Sequence, residues 1–537
     1  MPTSNLIRAA VAQFHVGEDV SLNLASCLRA LDAASKERPD VVVLPEFANH
    51  LSWYNDQTHC RAVSIDHSSA FLSAIGDKAK EIGAHVVVNV TLNRSSDVTT
   101  GTSILFGPDG MILGENDKQV LIGHENDFLA KATTCGPIID SAIGRLGLYA
   151  CMDGVINETP RALALRGAQI LLNSLNSFAT DEGSLHIPVR AAENKVFVVA
   201  ANKVGPLVPE AMVEGISAAT GIPVQFLDGA GESQIVAPDG TVLAKAPLSG
   251  EAVAFAEFDP RQADDKRRPD GTDIFAARRP ELYIPICADP VTQKPPAFEG
   301  VAHLQAGLIH ARDADEALRL TTQAFAQGAR IVAIAPVIGL SSDALSNVCP
   351  ADCYASLREG DGSVILVDNS GIVLRQSPLH TTARYGPARA DKFETCATPY
   401  GRIGLVAGDD GLFPEAFRLL AMTGTEIAIA PVSPLEKWEL RTGLLERSAE
   451  NRINLLAPAS GPEMGFATGL QEDFTVLTEW KSRPFDGLLS QPILTRATTP
   501  VTLVTLYPAC AANKVVSRNT DLLAGRPWHL SGAICGR

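Results

Sequence analysis

Hydrophobic and polar positions alternate with two different periods along the chain, which predicts strands and helices in turn. Apolar, β-branched runs at residues 7–14 and 41–47 are typical of buried strands, and residues 22–36 between them carry apolar side chains at helical spacing. Two Pro-Asp-Gly turns, at 108–110 and 238–240, lie between apolar runs and predict hairpins. Strands that alternate with helices in this way favour an α/β fold in which helices cover sheets.

The chain contains this pattern twice. The segment that starts at Gly144 (GRLGLYACMDG) is matched by one that starts at Gly401 (GRIGLVAGDDG), 257 residues later, and the same offset relates RAAEN at 190–194 to RSAEN at 447–451. The offset also pairs Glu158 with Glu415 and Arg161 with Arg418. Upstream it grows to 261 and then to about 290 residues, so the second copy is shorter there. The repeat predicts one fold present twice.

A proline-rich stretch separates the two copies. Residues 285–300 (PICADPVTQKPPAFEG) have neither helical nor strand periodicity, which is typical of an extended linker. We therefore predict a first domain at 1–284 and a second domain at 301–537.

Composition narrows the class of protein. The chain of 537 residues has 61 acidic and 45 basic side chains, a net charge of −16 that disfavours a nucleic-acid binder. No apolar stretch approaches the ~20 residues of a membrane helix, and the N-terminus does not resemble a signal peptide. The ten cysteines are scattered singly, so we expect reduced thiols and a cytoplasmic location.

Three residues of the first copy are candidates for one piece of chemistry. Glu46 and Cys151 each follow an apolar run, and Lys118 lies in ENDKQVL. Taken singly, each has an ordinary explanation as a solvated charge or a small core residue. The second copy has other residues at the matched positions: Pro336 or a neighbour for Glu46, Leu379 for Lys118, and Gly408 for Cys151. Loss of all three together favours a shared function in the first copy.

An acid, an amine and a thiol make chemical sense together. A cysteine thiol becomes a strong nucleophile when a neighbouring carboxylate takes its proton. An ammonium group and a backbone N–H, such as that of Met152, stabilise the oxyanion that forms when the thiolate attacks a carbonyl or nitrile carbon. Because burial of these charges is costly, we expect one closed polar cluster.

The motifs VVVLPEF, ENDKQVL, GRLGLYACMD, RAAEN with VFVVAANKVG, and GAGESQIVAPDGTVLA occur here in an order and spacing that resemble the nitrilase, or carbon–nitrogen hydrolase, superfamily. The resemblance implies two tandem αββα sandwiches and a triad in which Glu46 is the general base, Lys118 the stabiliser and Cys151 the nucleophile. It also implies a second glutamate that orients the site, for which Glu125 is the candidate. Met152 and Asp153 are the candidates for substrate or oxyanion contacts.

Departures from the superfamily's patterns bear on the substrate. The residues after Cys151 read MDGVINE, without the arginine that carbamoylases of amino acids use and without the Trp-Glu pair of true nitrilases. We expect a thiol-dependent amidohydrolase that converts a small amide to acid and ammonia. Nitrile or N-carbamoyl hydrolysis, or a catalytically idle assembly or regulatory protein, remain alternatives.

The partners follow from the same interpretation. We expect a small amide or nitrile as the substrate, with no cofactor, metal, nucleic acid or membrane. The second, degenerate domain is predicted to take the place of a dimer partner and so form an internal pseudo-dimer, with further homo-oligomerisation left open.

Overall fold

A computed structural model describes residues 6–537 and shows two halves with the same order of strands. The strands of the first half are β1 (Ile7–Gln13), β2 (Val41–Val43), β3 (His85–Asn93), β4 (Thr99–Phe106), β5 (Ile112–Asp117), β6 (Ile139–Ser141), β7 (Gly144–Ala150), β8 (Ile170–Ser174), β9 (Phe197–Ala201), β10 (Val204–Pro206), β11 (Asp228–Ala230), β12 (Gln234–Val236), β13 (Val242–Lys245) and β14 (Ala252–Phe258). Its helices are α1 (Val20–Ser35), α2 (Gln57–Val63), α3 (Ala70–Ile82), α4 (Glu125–Phe128), α5 (Met152–Val155), α6 (Glu158–Leu165), α7 (Ile187–Asn194) and α8 (Val213–Thr220).

Two six-stranded sheets face each other in the first half. Their strand orders are β14-β1-β2-β3-β4-β5 and β13-β12-β9-β8-β7-β6. The central strands are parallel and buried on both faces, as their continuous Val, Ile and Leu runs predict. Helices α1 and α3 cover the outside of the first sheet, and α6 and α7 cover the second. Both Pro-Asp-Gly turns join antiparallel strands, which confirms the two predicted hairpins.

The second half repeats this arrangement. Its strands are β15 (Leu304–Ile309), β16 (Ile331–Ile334), β17 (Tyr354–Arg358), β18 (Val364–Asp368), β19 (Gly371–Gln376), β20 (Thr395–Thr398), β21 (Gly401–Leu405), β22 (Ile427–Ile429), β23 (Asn454–Pro458), β24 (Gly465–Gly469), β25 (Ile493–Arg496), β26 (Val501–Leu506), β27 (Val515–Ser517) and β28 (Thr520–Asp521). Its helices are α9 (Ala314–Ala326), α10 (Ser342–Val348), α11 (Pro414–Met422) and α12 (Leu444–Asn451).

The strand orders of the second half, β26-β15-β16-β17-β18-β19 and β25-β24-β23-β22-β21-β20, copy those of the first strand for strand. The predicted fold class, two α/β sandwiches of αββα type, is confirmed.

Helices α6 and α7 of the first half pack against α11 and α12 of the second through four buried arginines. Each arginine pairs with a glutamate of the other half, and the pairs are related by exchange of the two halves. The pairs are Arg161–Glu415, Arg418–Glu158, Arg190–Glu450 and Arg447–Glu193. The halves thus meet through the same helices on both sides, the geometry that a twofold dimer uses.

Two expectations from the sequence are wrong in detail. The main-chain N–H groups of Gln119 and Val120 bond to Asp153, while those of Leu379 and His380 bond to Asp410. This register sets Pro378, not Leu379, opposite Lys118, because the offset in this loop is 260 residues.

The second correction concerns the thiols. Cys287 and Cys535 form a disulfide that joins the end of the first half to the C-terminal segment, so these two cysteines are not the reduced thiols expected. Across residues 6–537, none of the helices combines the length and the apolar character needed to cross a bilayer.

The buried ion pairs make a testable prediction about stability. Arg418 Nε lies 2.8 Å from Glu158 Oε1, and both side chains are inaccessible to solvent. Glu158→Gln leaves the guanidinium buried without its counter-charge, which we expect to cost about 3–5 kcal/mol of unfolding free energy. Urea titration followed by circular dichroism measures the change.

A matched control is Glu316→Gln, which breaks the Arg312 pair on helix α9 where the arginine side chain is 84% exposed. We expect that change to cost far less unfolding free energy than Glu158→Gln, because water screens an exposed pair. Equal effects of the two substitutions would contradict the role assigned to the buried pairs.

Candidate active site

The candidate residues lie where strands of the two facing sheets end. Glu46 follows β2, Lys118 follows β5 directly, and Cys151 follows β7 directly. The carboxyl ends of parallel strands meet at one edge of a sheet, which is where α/β folds place functional groups. The alternation of short strands and loops in the sequence therefore brings three distant segments to one place.

Lys118 is at the centre of a closed charge cluster. Its Nζ lies 2.8 Å from Glu46 Oε1 and donates a 2.9 Å hydrogen bond to Glu125 Oε1. The second oxygen of Glu125 accepts the N–H of Ile122 at 3.1 Å. All three charged side chains are buried, so Glu125 is not a solvated loop acid. Sequence reasoning expected one closed cluster of this kind.

Burial and pairing shift the protonation of the cluster. Desolvation raises the pKa of Glu46 to about 7, although Lys118 opposes the shift. Burial also disfavours the charge on Lys118, but the carboxylates of Glu125 and Glu46 outweigh it and raise the pKa of the ammonium group. Burial and the nearby Glu46 raise the pKa of the Cys151 thiol. The resting site therefore holds a protonated thiol beside a carboxyl group that is poised near neutrality.

The backbone at Cys151 is held in an unusual conformation. Its φ is +47° and its ψ is −109°, a region that residues with a Cβ rarely occupy. The N–H of Cys151 bonds to the main-chain oxygen of Ser174 and to Oδ1 of Asn173, which fixes the turn between β7 and α5. The matched Gly408 has a φ of +55°, where glycine carries little strain. The first half thus has a cysteine at a position whose backbone conformation favours glycine, and the Cβ of Cys151 strains the backbone there.

A cavity of about 130 Å³ opens in front of this turn. Cys151, Glu125 and Met152 are among its lining residues. Because Met152 begins α5, its N–H is one of the first in the helix and has no partner within the helix. The wall also includes Glu182 and His186, from a π-helical turn at Glu182–His186 just before α7. The cavity is mostly apolar elsewhere.

Asp153, like Glu46 and Lys118, is not among the described residues that line this cavity. Its carboxylate accepts the N–H groups of Gln119 at 3.0 Å and Val120 at 2.8 Å, directly after Lys118. A buried carboxylate needs such donors. We expected a substrate or oxyanion contact, but Asp153 instead ties the turn after Cys151 to the loop that carries Lys118.

Sequence reasoning missed a second buried lysine. Lys203 follows β9, and its Nζ lies 5.9 Å from the centre of the Phe47 ring without a hydrogen-bond acceptor in the described part of the chain. Burial lowers the pKa of Lys203 to about 7. The only signal in the sequence was its position in AANKVG, at the end of a strand beside those that carry the candidate residues.

A residue of the second half also reaches the site. Glu446 accepts a 2.9 Å hydrogen bond from Nδ1 of His186, which lines the cavity. Burial opposes the charge on His186, but Glu446 outweighs it and raises the histidine's pKa to about 9. The repeat gave no sign of this contact, because the matched positions are Gly443 for His186 and Val189 for Glu446.

Comparison with known proteins agrees with this geometry. Residues 8–268 match the model of the carbon–nitrogen hydrolase family. The first half of the chain belongs to the nitrilase, or carbon–nitrogen hydrolase, superfamily. Members of this superfamily act on carbon–nitrogen bonds, and the match covers Glu46, Lys118, Glu125 and Cys151.

Individual relatives align with about half of the chain. A nitrilase from Pyrococcus abyssi is 29% identical over 268 residues, which are 49% of this chain and 93% of that protein. N-carbamoylputrescine amidase from Solanum tuberosum is 26% identical over 298 residues, covering 52% and 94%. The crystal structure of an amidase from Nesterenkonia sp. has 23% identity and a TM-score of 0.42, covering 52% of this chain and 95% of that one.

The strained turn at Cys151 makes a prediction about folding stability. Cys151→Gly relieves the positive φ, whereas Cys151→Ala keeps it, so the glycine variant should be more stable than the alanine variant by about 1 kcal/mol. Urea unfolding of the two variants measures the difference. An alanine variant at least as stable as the glycine variant would show that the turn carries no strain.

Proposed function

We propose that the chain is a thiol-dependent amidohydrolase that cleaves the C–N bond of a small amide to give an acid and ammonia. The observation that carries the proposal is the closed cluster in which Lys118 lies within 2.9 Å of both Glu46 and Glu125. Cys151 lines a mostly apolar cavity and is the only cysteine among the described residues that line it.

In the first step, Glu46 takes the proton of the Cys151 thiol as the sulfur attacks the amide carbon. The negative charge that develops on the amide oxygen is stabilised by the Lys118 ammonium group and by the N–H of Met152. Glu46 then passes the proton to the amide nitrogen, the C–N bond breaks, and ammonia leaves. The acyl group remains on Cys151 as a thioester.

In the second step, water enters where ammonia has left. Glu46 takes a proton from the water as its oxygen attacks the thioester carbon, and the same donors stabilise the second oxyanion. The C–S bond breaks, the acid is released, and the sulfur recovers its proton from Glu46. Glu125 is a positioning residue in this scheme, because it holds the Lys118 ammonium group from the side opposite Glu46 and receives no proton.

The residues around the cavity favour an amide over the other substrates of the superfamily. None of the described residues that line the cavity is an arginine, which disfavours N-carbamoyl amino acids and other substrates that carry a carboxylate. The Met152-Asp153 pair differs from the Trp-Glu pair of true nitrilases. Nitrile hydrolysis through the same thioester remains the alternative within this chemistry.

We propose further that residues 1–284 catalyse the reaction, that 285–300 link the halves, and that 301–537 form a non-catalytic copy which replaces a dimer partner. Pro336 or a neighbour, Pro378 and Gly408 stand in the second half where the first has the base, the amine and the thiol. Four exchanged ion pairs between the halves support the pseudo-dimer.

The function is tested by measuring ammonia release from amides, nitriles and N-carbamoyl compounds. We expect release from uncharged amides, and loss of at least about a thousandfold in kcat with Cys151→Ala, because no thioester forms without the sulfur.

Cys396→Ala, which removes a partly exposed thiol on β20 of the second half, is the matched control and should leave the rate unchanged. Activity that survives in Cys151→Ala would overturn the proposal. Release of ammonia from nitriles alone would establish the alternative.

The pKa of Glu46 predicts how the rate depends on pH. Because Glu46 must be ionised to take the thiol proton, kcat/KM should rise with pH and level off above pH about 7, where its pKa lies. Initial rates measured between pH 5 and 9, about two units on either side of that pKa, give the dependence of kcat/KM on pH.

Glu182 is the control for the pH profile, because burial raises its pKa to about 7 as well. Glu182→Gln should keep the inflection near pH 7, whereas Glu46→Gln should abolish turnover. If the inflection vanishes in an active Glu182→Gln variant, Glu182 rather than Glu46 is the titrating group.

A further inference from the structure

The cavity in front of Cys151 is built by both halves of the chain. Six of its lining residues belong to the second half and come from two separate segments. They are Val476, Leu477, Leu489, Ser490, Val516 and Ser517. The catalytic cluster itself lies entirely in the first half, so the second half contributes walls to the cavity but no acid, amine or thiol.

The first segment, residues 474–491, is fastened to the first half by its main chain. Asp181 Oδ2 accepts the N–H groups of Leu489, Ser490 and Gln491 at 3.1, 2.6 and 2.9 Å. The N–H of Thr180 donates to the oxygen of Gly487 at 2.8 Å. A carboxylate that binds three successive N–H groups fixes the path of the segment, and with it the position of the Leu489 side chain.

Aromatic packing also holds the 474–491 segment against the first half. The ring of Phe485 lies edge-on to those of Phe178 and Phe226 of the first half, with ring centres 5.7 and 5.5 Å apart. Phe226 belongs to the long stretch at 205–231, of which Leu207, Val208 and Leu227 line the cavity.

The second segment is the hairpin β27–β28. Val516 is buried against Val120, Met152 and Val155 of the first half. Oγ1 of Thr520 donates a 2.9 Å hydrogen bond to the main-chain oxygen of Leu121. These contacts place Val516 beside the turn that carries Cys151.

Comparison of the two halves shows which residue of the first half corresponds to Val516. Lys514 Nζ donates to the main-chain oxygens of Asn451 and Arg452, just as Lys266 Nζ donates to those of Asn194 and Lys195. Two residues beyond these equivalent lysines stand Val516 and Arg268, which therefore occupy equivalent places.

Arg268 crosses to the second half and lies beside two acids that flank Gly408. Its buried guanidinium lies 2.8 Å from Glu439 and 3.4 Å from Asp409, both of which line the cavity at Gly408. That cavity has a volume of about 20 Å³, against about 130 Å³ for the one in front of Cys151. A long charged side chain thus stands beside the smaller cavity, and a short apolar one lines the larger.

Two of the charged side chains that line the larger cavity are paired with groups of the second half. Asp181 is bound by the three N–H groups of the 474–491 segment, and the His186 cation is paired with Glu446 of the second half. The remaining wall from the second half is apolar apart from two serines. Such a wall favours an uncharged, apolar acyl group.

We propose that the second half is the specificity element of the enzyme, and that Leu477, Leu489 and Val516 form the surface against which the apolar acyl chain of an uncharged amide packs. The proposal deepens the amidohydrolase function and rests on it. It assigns the preferred substrate to amides with an acyl chain longer than that of acetamide.

The test compares acetamide with hexanamide. Leu489→Trp narrows the cavity, so it should lower kcat/KM for hexanamide by at least about tenfold while changing that for acetamide by less than about threefold. Leu477→Ala, at a residue that is 41% exposed and whose loss does not threaten folding, should raise KM for hexanamide with little effect on kcat.

The matched control is Leu488→Trp. Leu488 is the neighbour of Leu489 and is half-buried as well, but it lines a separate surface cleft of the second half. It should leave the ratio of the two kcat/KM values unchanged. Equal ratios in the Leu488→Trp and Leu489→Trp variants would overturn the proposal.

A binding measurement separates this inference from the proposed function. Calorimetric titration of the Cys151→Ala variant with hexanamide needs no turnover, and addition of Leu489→Trp should weaken that binding by about tenfold. If the wild-type chain releases no ammonia from either amide, the proposed function fails. If binding to Cys151→Ala is the same with and without Leu489→Trp, the specificity element fails.

Discussion

Four arginines that have no access to water hold this molecule together. A guanidinium group keeps its charge in a protein interior, so each of these side chains requires a carboxylate at a fixed distance and angle. Each arginine pairs with a carboxylate of the opposite half, and Arg190 and Arg447 also pair with one of their own half. Neither half can therefore shift relative to the other without exposing a buried charge. The cavity depends on this constraint, since two of its walls are carried by the second half.

The cluster of Lys118, Glu46 and Glu125 shows the same requirement, that a buried charge needs a partner of opposite charge. Lys118 is buried between two carboxylates, and burial, with a smaller contribution from Glu125, raises the pKa of Glu46 toward neutrality. A base with such a pKa exchanges protons readily at the pH of most cells. The cost of burying the charges and the reactivity of the site have one physical origin, which is the low polarity of the space between the two sheets.

The sequence predicted the parts of the molecule that local patterns encode. Strand and helix periodicity gave the α/β fold, and comparison of the two copies gave Glu46, Lys118 and Cys151 as a set. The alignment of the two copies wrongly paired Lys118 with Leu379 rather than Pro378, because the offset between the copies changes in the loop that carries them. Sequence reasoning placed Asp153 in the cavity, because nothing in CMDG shows that two N–H groups after Lys118 need an acceptor. Contacts between irregular segments, such as 474–491 against Asp181, leave no periodic signal.

Val516 and Arg268 occupy equivalent places and have opposite effects. In a homodimer one gene encodes both subunits, so a valine that opens one pocket opens the other, and an arginine that closes one closes both. Joining two copies in one chain removes that restriction, because each position can then change in one copy alone. The second half keeps only a small cavity of its own and still shapes that of its neighbour. Under the proposed function, fusion thus converts a symmetric pair of sites into a division of labour, with one half selecting the molecule that the other half cuts.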